Sequence, residues 1–235
     1  MVPSMKRIML AGLALAAAAP ATAAERRYTV TDFDRVQVDG PFVVTLSTGK
    51  AGSAVATGDQ QAIDRVSIEV QGRLLKVRPN RSAWSGFPGE EGGPLAIALT
   101  THGLRGASVI GSGSLAIDKA RAMRLDVAVS GSGRIAIGAV EADTLSLGLL
   151  GSGSIQIGGK AEKLRATVQG SGDLDAAGLV ADDADIVADT AGTIAVTVNG
   201  PASVTATGPG DTSVLGTPAC AGKSRGSGRV LCGSE

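Results

Sequence analysis

One phrase, repeated four times, limits what this chain can become. It reads Ala107-Ser-Val109-Ile-Gly111-Ser-Gly113-Ser-Leu115-Ala-Ile117, then Val127-Ala-Val129-Ser-Gly131-Ser-Gly133-Arg-Ile135-Ala-Ile137. It returns as Leu147-Gly-Leu149-Leu-Gly151-Ser-Gly153-Ser-Ile155-Gln-Ile157 and as Ala166-Thr-Val168-Gln-Gly170-Ser-Gly172-Asp-Leu174-Asp-Ala176. The first glycines are spaced by 20, 20 and 19 residues, and a fixed period of that size marks a stacked, solenoidal architecture. Apolar residues alternate with polar or small ones on both sides of each Gly-Ser-Gly, the period of a strand with one buried face. Two strands, a glycine corner and a connecting turn make one coil. Coils stacked at ~4.8 Å then pair as parallel strands. The expected fold is all-β, a parallel β-helix, right-handed as parallel crossovers are.

Stacking predicts continuous apolar columns: Val109, Val129, Leu149, Val168; Leu115, Ile135, Ile155, Leu174; Ile117, Ile137, Ile157, Ala176. The paired glycines are expected as structural corners, because a repeated sharp bend needs positive φ or a close backbone approach. The intervening Ser112, Ser132, Ser152 and Ser171 would form a hydroxyl column able to bond along the stack or to backbone. A serine nucleophile has no neighbouring base in a chain with one histidine, His102. A phosphate cradle would need a helix after the glycines, and a strand follows instead.

The predicted connecting turns carry charge, and some charges of opposite sign fall one period apart, as Arg121 to Glu141, Asp143 to Lys163 and Lys163 to Asp183. Such pairs fix register and contribute at most ~1 kcal/mol each. Asp182, Asp183, Asp185 and Asp189 admit another reading, a carboxylate or calcium cluster like those of pectin-degrading β-helices, though acids in turns are usually solvated. Calcium-binding nonapeptide repeats have a different period. The phrase decays after Gly178 but persists at Gly192, at Gly208-Pro-Gly210 and at Gly226-Ser-Gly228.

Ahead of the repeats, residues 25–78 read as short β-branched strands broken by turn residues, with Thr29–Thr31 among them and a helical turn at Asp59–Arg65. No polar linker follows, so residues 25–235 are expected as one β-helix domain, with repeat coils over 95–235. Residues 79–94 are rich in Gly, Pro and charge and must leave the body as a loop. This loop carries Trp84 and Phe87 in a chain only 2% aromatic. Two readings stand: a ligand-contact loop, or aromatics that fold back and fasten the loop on the solenoid.

Residues 1–24 read as a signal peptide: Lys6 and Arg7, 12 apolar residues from Ile8 to Ala19, and small residues up to Ala24. Twelve residues are too few to cross ~30 Å of hydrocarbon, so no stable membrane span is expected after cleavage, and no cysteine follows for a lipid anchor. Removing Lys6 and Arg7 takes the 22 basic residues to 20 against 22 acidic ones, and without clustered basic charge nucleic acid is not an expected partner. Cys220 and Cys232, an even pair on an oxidising route, are expected to form a disulfide stapling the last coil. A zinc site would need more ligands than the chain offers nearby.

The stretch Gly40-Pro-Phe-Val-Val-Thr-Leu-Ser-Thr-Gly49, with Val55-Ala-Thr-Gly58-Asp59, Val70-Gln-Gly72-Arg-Leu-Leu-Lys-Val77 and the Gly-Ser-Gly phrases, resembles the bacterial head GIN domain proteins, labelled auto-transporter adhesins. The resemblance spans essentially the whole mature chain and implies an exported β-helix with a surface or periplasmic role and no established chemistry. No run of amphipathic ~10-residue strands for a translocator barrel follows the repeats, so self-secretion is not expected.

These observations together lead to an expected non-enzymatic, exported binding, adhesion or envelope-structural module of a Gram-negative cell, periplasmic or at the surface, with no cofactor and no metal site. Its ligand is unknown. A cell-envelope protein or glycan and self-association through a solenoid face or end are the partner classes left open. The alternative is a carbohydrate-active β-helix enzyme, told apart by acids converging in a groove with basic or aromatic partners.

Overall fold

The computed structural model describes residues 24–80 and 94–234. In chain order, β1 (Ala24–Tyr28), β2 (Arg35–Asp39), β3 (Val43–Thr48) and β4 (Ser53–Gly58) precede a short helix, α1 (Gln60–Asp64). Then come β5 (Val66–Gln71), β6 (Leu74–Pro79), β7 (Leu95–Thr101) and β8 (Gly106–Gly111). The repeats form β9 (Ser114–Gly131), β10 (Arg134–Gly151), β11 (Ser154–Gly170) and β12 (Asp173–Thr190). They are followed by β13 (Ile194–Val198), β14 (Pro201–Thr207), β15 (Thr212–Gly216), β16 (Ala219–Ser224) and β17 (Val230–Ser234). The chain is a β-solenoid, its coils paired in parallel from β8 to β17.

Each repeat is a single bent strand of 17 or 18 residues, rather than two strands and a turn. In β10 the buried residues are Ile135 and Ile137, then Val140 and Ala142, then Leu145, Leu147 and Leu149. The alternation slips at Gly138–Ala139 and again at Asp143–Thr144, and every slip turns the strand so that the next stretch faces inward afresh. A coil therefore has three faces. The segment expected as a connecting turn is the third face, with Val140 and Ala142 inside and its charges outside.

The columns stack in register. Val109 pairs with Val129, Val129 with Leu149 and Leu149 with Val168, and the Leu115, Ile135, Ile155, Leu174 column continues to Ile194. The two glycines of each corner have different tasks. The first takes positive φ, +95° at Gly111 and +114° at Gly131 and Gly151. The second must be bare because the previous coil lies against it: a Cβ on Gly133 would sit 2.7 Å from the Gly113 carbonyl oxygen and 2.6 Å from Val109 Cγ1. That closeness lets the ladder run through the bend, with Ser132 N donating to Gly111 O at 3.0 Å and Arg134 N to Gly113 O at 2.9 Å. The corner serines face solvent, and among the described residues no hydrogen bond joins their hydroxyls along the stack.

Of the three charge pairs expected across coils, Arg121–Glu141 closes at 3.1 Å and Lys163–Asp183 at 3.2 Å. Asp143 and Lys163 do not align. The third repeat is one residue short, and the irregularity between Ile137 and Val140 against Ile157 and Gly159 brings Thr144 opposite Lys163.

At the N-terminal end the order of layers departs from the order of the chain. β2 and β3 pair with β6 and β7 on one side and with β8 and β9 on the other. The second layer is thus laid down first, the outer layer next, and the chain then crosses to the third through His102–Arg105. Antiparallel β4, β1 and β5 close the outer layer, and Asp59 caps α1 by accepting from Gln61 N at 2.8 Å. The strand expected at Thr29–Thr31 lies instead at Ala24–Tyr28, an edge strand whose charged residues hide its pattern. At the other end, Cys220 and Cys232 form a disulfide. Their pairing partners Ala202 and Val214 point into the core, so the bridge spans the inward side of the last coil.

Candidate functional site

The third face has a first member. In the body each third-face segment rests on the one before, as 139–144 rests on 119–124. Beneath Lys119–Arg124 the second layer has already ended, since β3 stops at Thr48, whose N–H and hydroxyl are tied to Asp118 and to the Lys119 carbonyl at 3.0 Å. This leaves a groove of about 610 Å³ between the Lys119–Arg124 segment and the crossing His102–Arg105.

The groove is arginine-rich. Arg35, Arg73, Arg105, Arg121 and Arg124 line it with His102, against Asp32, Asp34 and Asp126, while Met123 stands 81% exposed and Phe33 and Leu104 lie buried beneath. Backbone hydrogen bonds run through four layers here, from Asp34 N to Arg73 O at 3.1 Å, Arg105 N to Asp34 O at 2.7 Å and Asp126 N to Arg105 O at 3.0 Å. The layers thereby set one charged residue above the next. Asp34, 8% exposed, accepts from Arg73 Nε at 2.8 Å, and Arg105 Nε lies 3.9 Å from the same oxygen. A carboxylate so enclosed needs a cationic partner, and it holds two guanidinium groups at the groove. Arg121 is engaged by Glu141 and His102 Nδ1 lies 3.5 Å from Asp32. Arg35 and Arg124 have no acidic partner among the described residues. The arrangement can hold an anion; the groove sets no nucleophile beside a base.

Other candidates fall elsewhere. Trp84 and Phe87 lie outside the described residues, as does the predicted signal peptide up to residue 23. The eight corner glycines, Gly111, Gly113, Gly131, Gly133, Gly151, Gly153, Gly170 and Gly172, form one structural edge of the stack. Asp182, Asp185 and Asp189 point to solvent from β12, and Asp183 is held by Lys163. A shallow depression of about 240 Å³ gathers Glu141, Asp143, Glu162 and Asp182 around Lys160, with no aromatic in its lining. Among the described residues no group of three or more His, Cys, Asp or Glu could hold a metal ion. Nor is any described helix long and apolar enough to cross a membrane.

The arginine groove was missed in the sequence because its residues lack the period. One signal was present: a basic residue stands just ahead of an inward-facing run at Arg35-Val36, Arg73-Leu74-Leu75, Arg105-Gly-Ala107 and Arg124-Leu125. Irregular spacing concealed that these belong to neighbouring layers.

Among curated proteins none matches the sequence. Solved structures share the fold. A "putative adhesin" from Bacteroides fragilis superposes with a TM-score of 0.81 at 19% identity, covering 90% of this chain and 97% of that one. A "putative lipid binding protein" from Parabacteroides distasonis gives 0.72 at 23% identity, with 91% and 97% covered, and a "putative adhesin" from Parabacteroides merdae 0.66 at 19%, also with 91% and 97% covered. The family model described as "Putative auto-transporter adhesin, head GIN domain" matches residues 32–218, which span the crossing, the groove and the repeats; the chain belongs to the head GIN domain family.

Proposed function

We propose that this protein is an exported, non-enzymatic binding module of the cell envelope, which presents a ligand groove on a rigid β-solenoid. The observation that carries this reading is the arginine groove at the point where the chain breaks its repeat. A body of in-register columns offers little chemical variety, whereas the groove gathers guanidinium groups, which hold ligands but supply neither nucleophile nor base. The family is adhesin-like, its structural relatives are named for adhesion or lipid binding, and a disulfide fits export into an oxidising compartment. On this reading the protein works in the periplasm or at the surface of a Gram-negative cell, with an envelope component as its partner.

The test is fractionation of cells combined with binding of purified protein to washed envelopes. Recovery in the periplasmic or surface fraction with saturable envelope binding is expected. Cleavage of a polysaccharide, abolished by Asp182→Asn or Asp183→Asn, would overturn the reading in favour of a carbohydrate-active enzyme.

A further inference from the structure

We infer that the groove is a phosphate site, taking a phosphate ester through Arg35 and Arg124 with Arg73 and Arg105 at its wall. The inference rests on the binding reading above and names the chemistry of its ligand. Charge comes first. The whole chain has equal numbers of basic and acidic residues, yet five arginines line this groove against three aspartates. Moreover, the excess is local, because one coil further on the positions of Arg121 and Arg124 hold Glu141 and Thr144. A long polyanion running up the third face would meet Glu141 and Asp143, so the charge suits a compact anionic group.

Geometry then favours phosphate over a flat carboxylate. Arg73, Arg35 and Arg105 belong to three successive layers and Arg124 to the third-face segment opposite them. Donors arriving from several directions match a tetrahedral oxyanion, which accepts on three or four oxygens, better than a planar group that is satisfied by one fork. The wall is also fixed in advance, since Asp34, itself largely enclosed, orients Arg73. Above the lining, the Lys119–Arg124 segment pairs on one side only, so part of its backbone edge is open to the same ligand. Met123 adds an exposed apolar side chain between Arg121 and Arg124, placed to touch whatever the phosphate carries.

Such a phosphate can come from a lipid headgroup or from a soluble ester, and the experiment separates them. The full mature chain is titrated with inorganic phosphate and glycerol phosphate by calorimetry, with acetate as the carboxylate control. It is also tested by sedimentation with vesicles of phosphatidylglycerol in phosphatidylcholine and of phosphatidylcholine alone. Phosphate is expected to bind more tightly than acetate, and Arg35→Gln with Arg124→Gln to weaken it by roughly tenfold or more, since each charge-assisted contact is of that order. Met123→Ser should weaken vesicle binding and leave glycerol phosphate unchanged if the ligand is lipid-borne, and change neither if it is soluble. Binding of neither phosphate nor anionic vesicles overturns the inference, as does acetate binding as tightly as phosphate, or a folded double variant binding as wild type. Saturable envelope binding retained in any of those cases leaves the binding reading standing; loss of both ends it.

Discussion

The repeat body and the N-terminal end belong to one continuous sheet, yet they use sequence in opposite ways. In the body a residue meets its equivalent one coil away, Val129 on Val109 and Leu149 on Val129. At the N-terminal end the partners are far apart, Arg73 and Asp34 by 39 positions and Ser108 and Val36 by 72. The body therefore repeats one environment and can vary it little, whereas the end juxtaposes residues that no period relates. The difference teaches where a solenoid can bring unlike residues together: at the place where its winding order is broken.

The sharpest way to break this comparison is to add one methyl group in each region. Gly131→Ala puts a Cβ at φ +114° and 2.7 Å from the Gly111 carbonyl oxygen, combining backbone strain with overpacking for a loss of about 3–5 kcal/mol. Gly103→Ala in the crossing meets nothing within 4 Å and should stay within about 0.5 kcal/mol of wild type. Urea unfolding followed by circular dichroism measures both, and equal losses would mean that the corners are not the body's constraint.

Next in size is the C-terminal coil, which no antiparallel strand covers among the described residues. Replacing Cys220 and Cys232 together by serine removes a link across 12 positions, with an expected cost of about 2–3 kcal/mol. Melting of the double variant beside reduced wild type reads this, and an unchanged transition would show that the last coil holds without its staple. A gain is expected nearby. Thr212 is fully buried between Ile194 and Val230 in an apolar column, and its hydroxyl lacks a hydrogen bond. Thr212→Val should stabilise by about 1–2 kcal/mol; destabilisation in the same melts would mean the hydroxyl is satisfied in solution.

The smallest effect depends on pH. Asp173 accepts from Thr193 N and Thr193 Oγ1 at 2.8 Å on the next coil, and these bonds, the backbone one foremost, hold its carboxyl below the ordinary value of 3.8. A depressed carboxylate stabilises the fold above its ordinary range, and the contribution is lost as pH falls through it. Asp173→Asn should thus cost no more than about 1 kcal/mol at pH 7, and the gap to wild type should narrow as pH falls below the ordinary carboxylate range. A gap that persists in acid would assign the effect to the geometry of the contact rather than to charge.

Legibility in the sequence follows the same division. The corners and columns could be read because Gly111, Gly131 and Gly151 recur with the period of the winding. The third face escaped because Val140 and Ala142 alternate with Glu141 and Asp143 over too short a stretch to look like a strand. The missed register between Asp143 and Lys163 came from a single residue absent at Gly158–Gly159, which hydrophobic spacing tolerates and charge spacing does not. The groove left only a faint trace, the basic residue ahead of each inward-facing run at Arg35, Arg73, Arg105 and Arg124. Asp34 becomes the holder of Arg73 and Arg105 only after β6 and β8 are laid on either side of β2, a long-range ordering that local patterns do not encode.

That ordering also makes the two ends mechanically unequal. Tension applied from Leu231 meets the last coil first, and once the disulfide-linked segment is free the layers can unwind one after another, each breaking its ladder bond by bond. Tension from Tyr28 first peels β1 from β4 and then loads β2, which is held between β6 and β8 and must break two ladders to leave. A module of this kind resists pulling from one terminus and yields from the other. Because Arg35 opens the clamped strand, the candidate ligand groove lies in the part that lets go last.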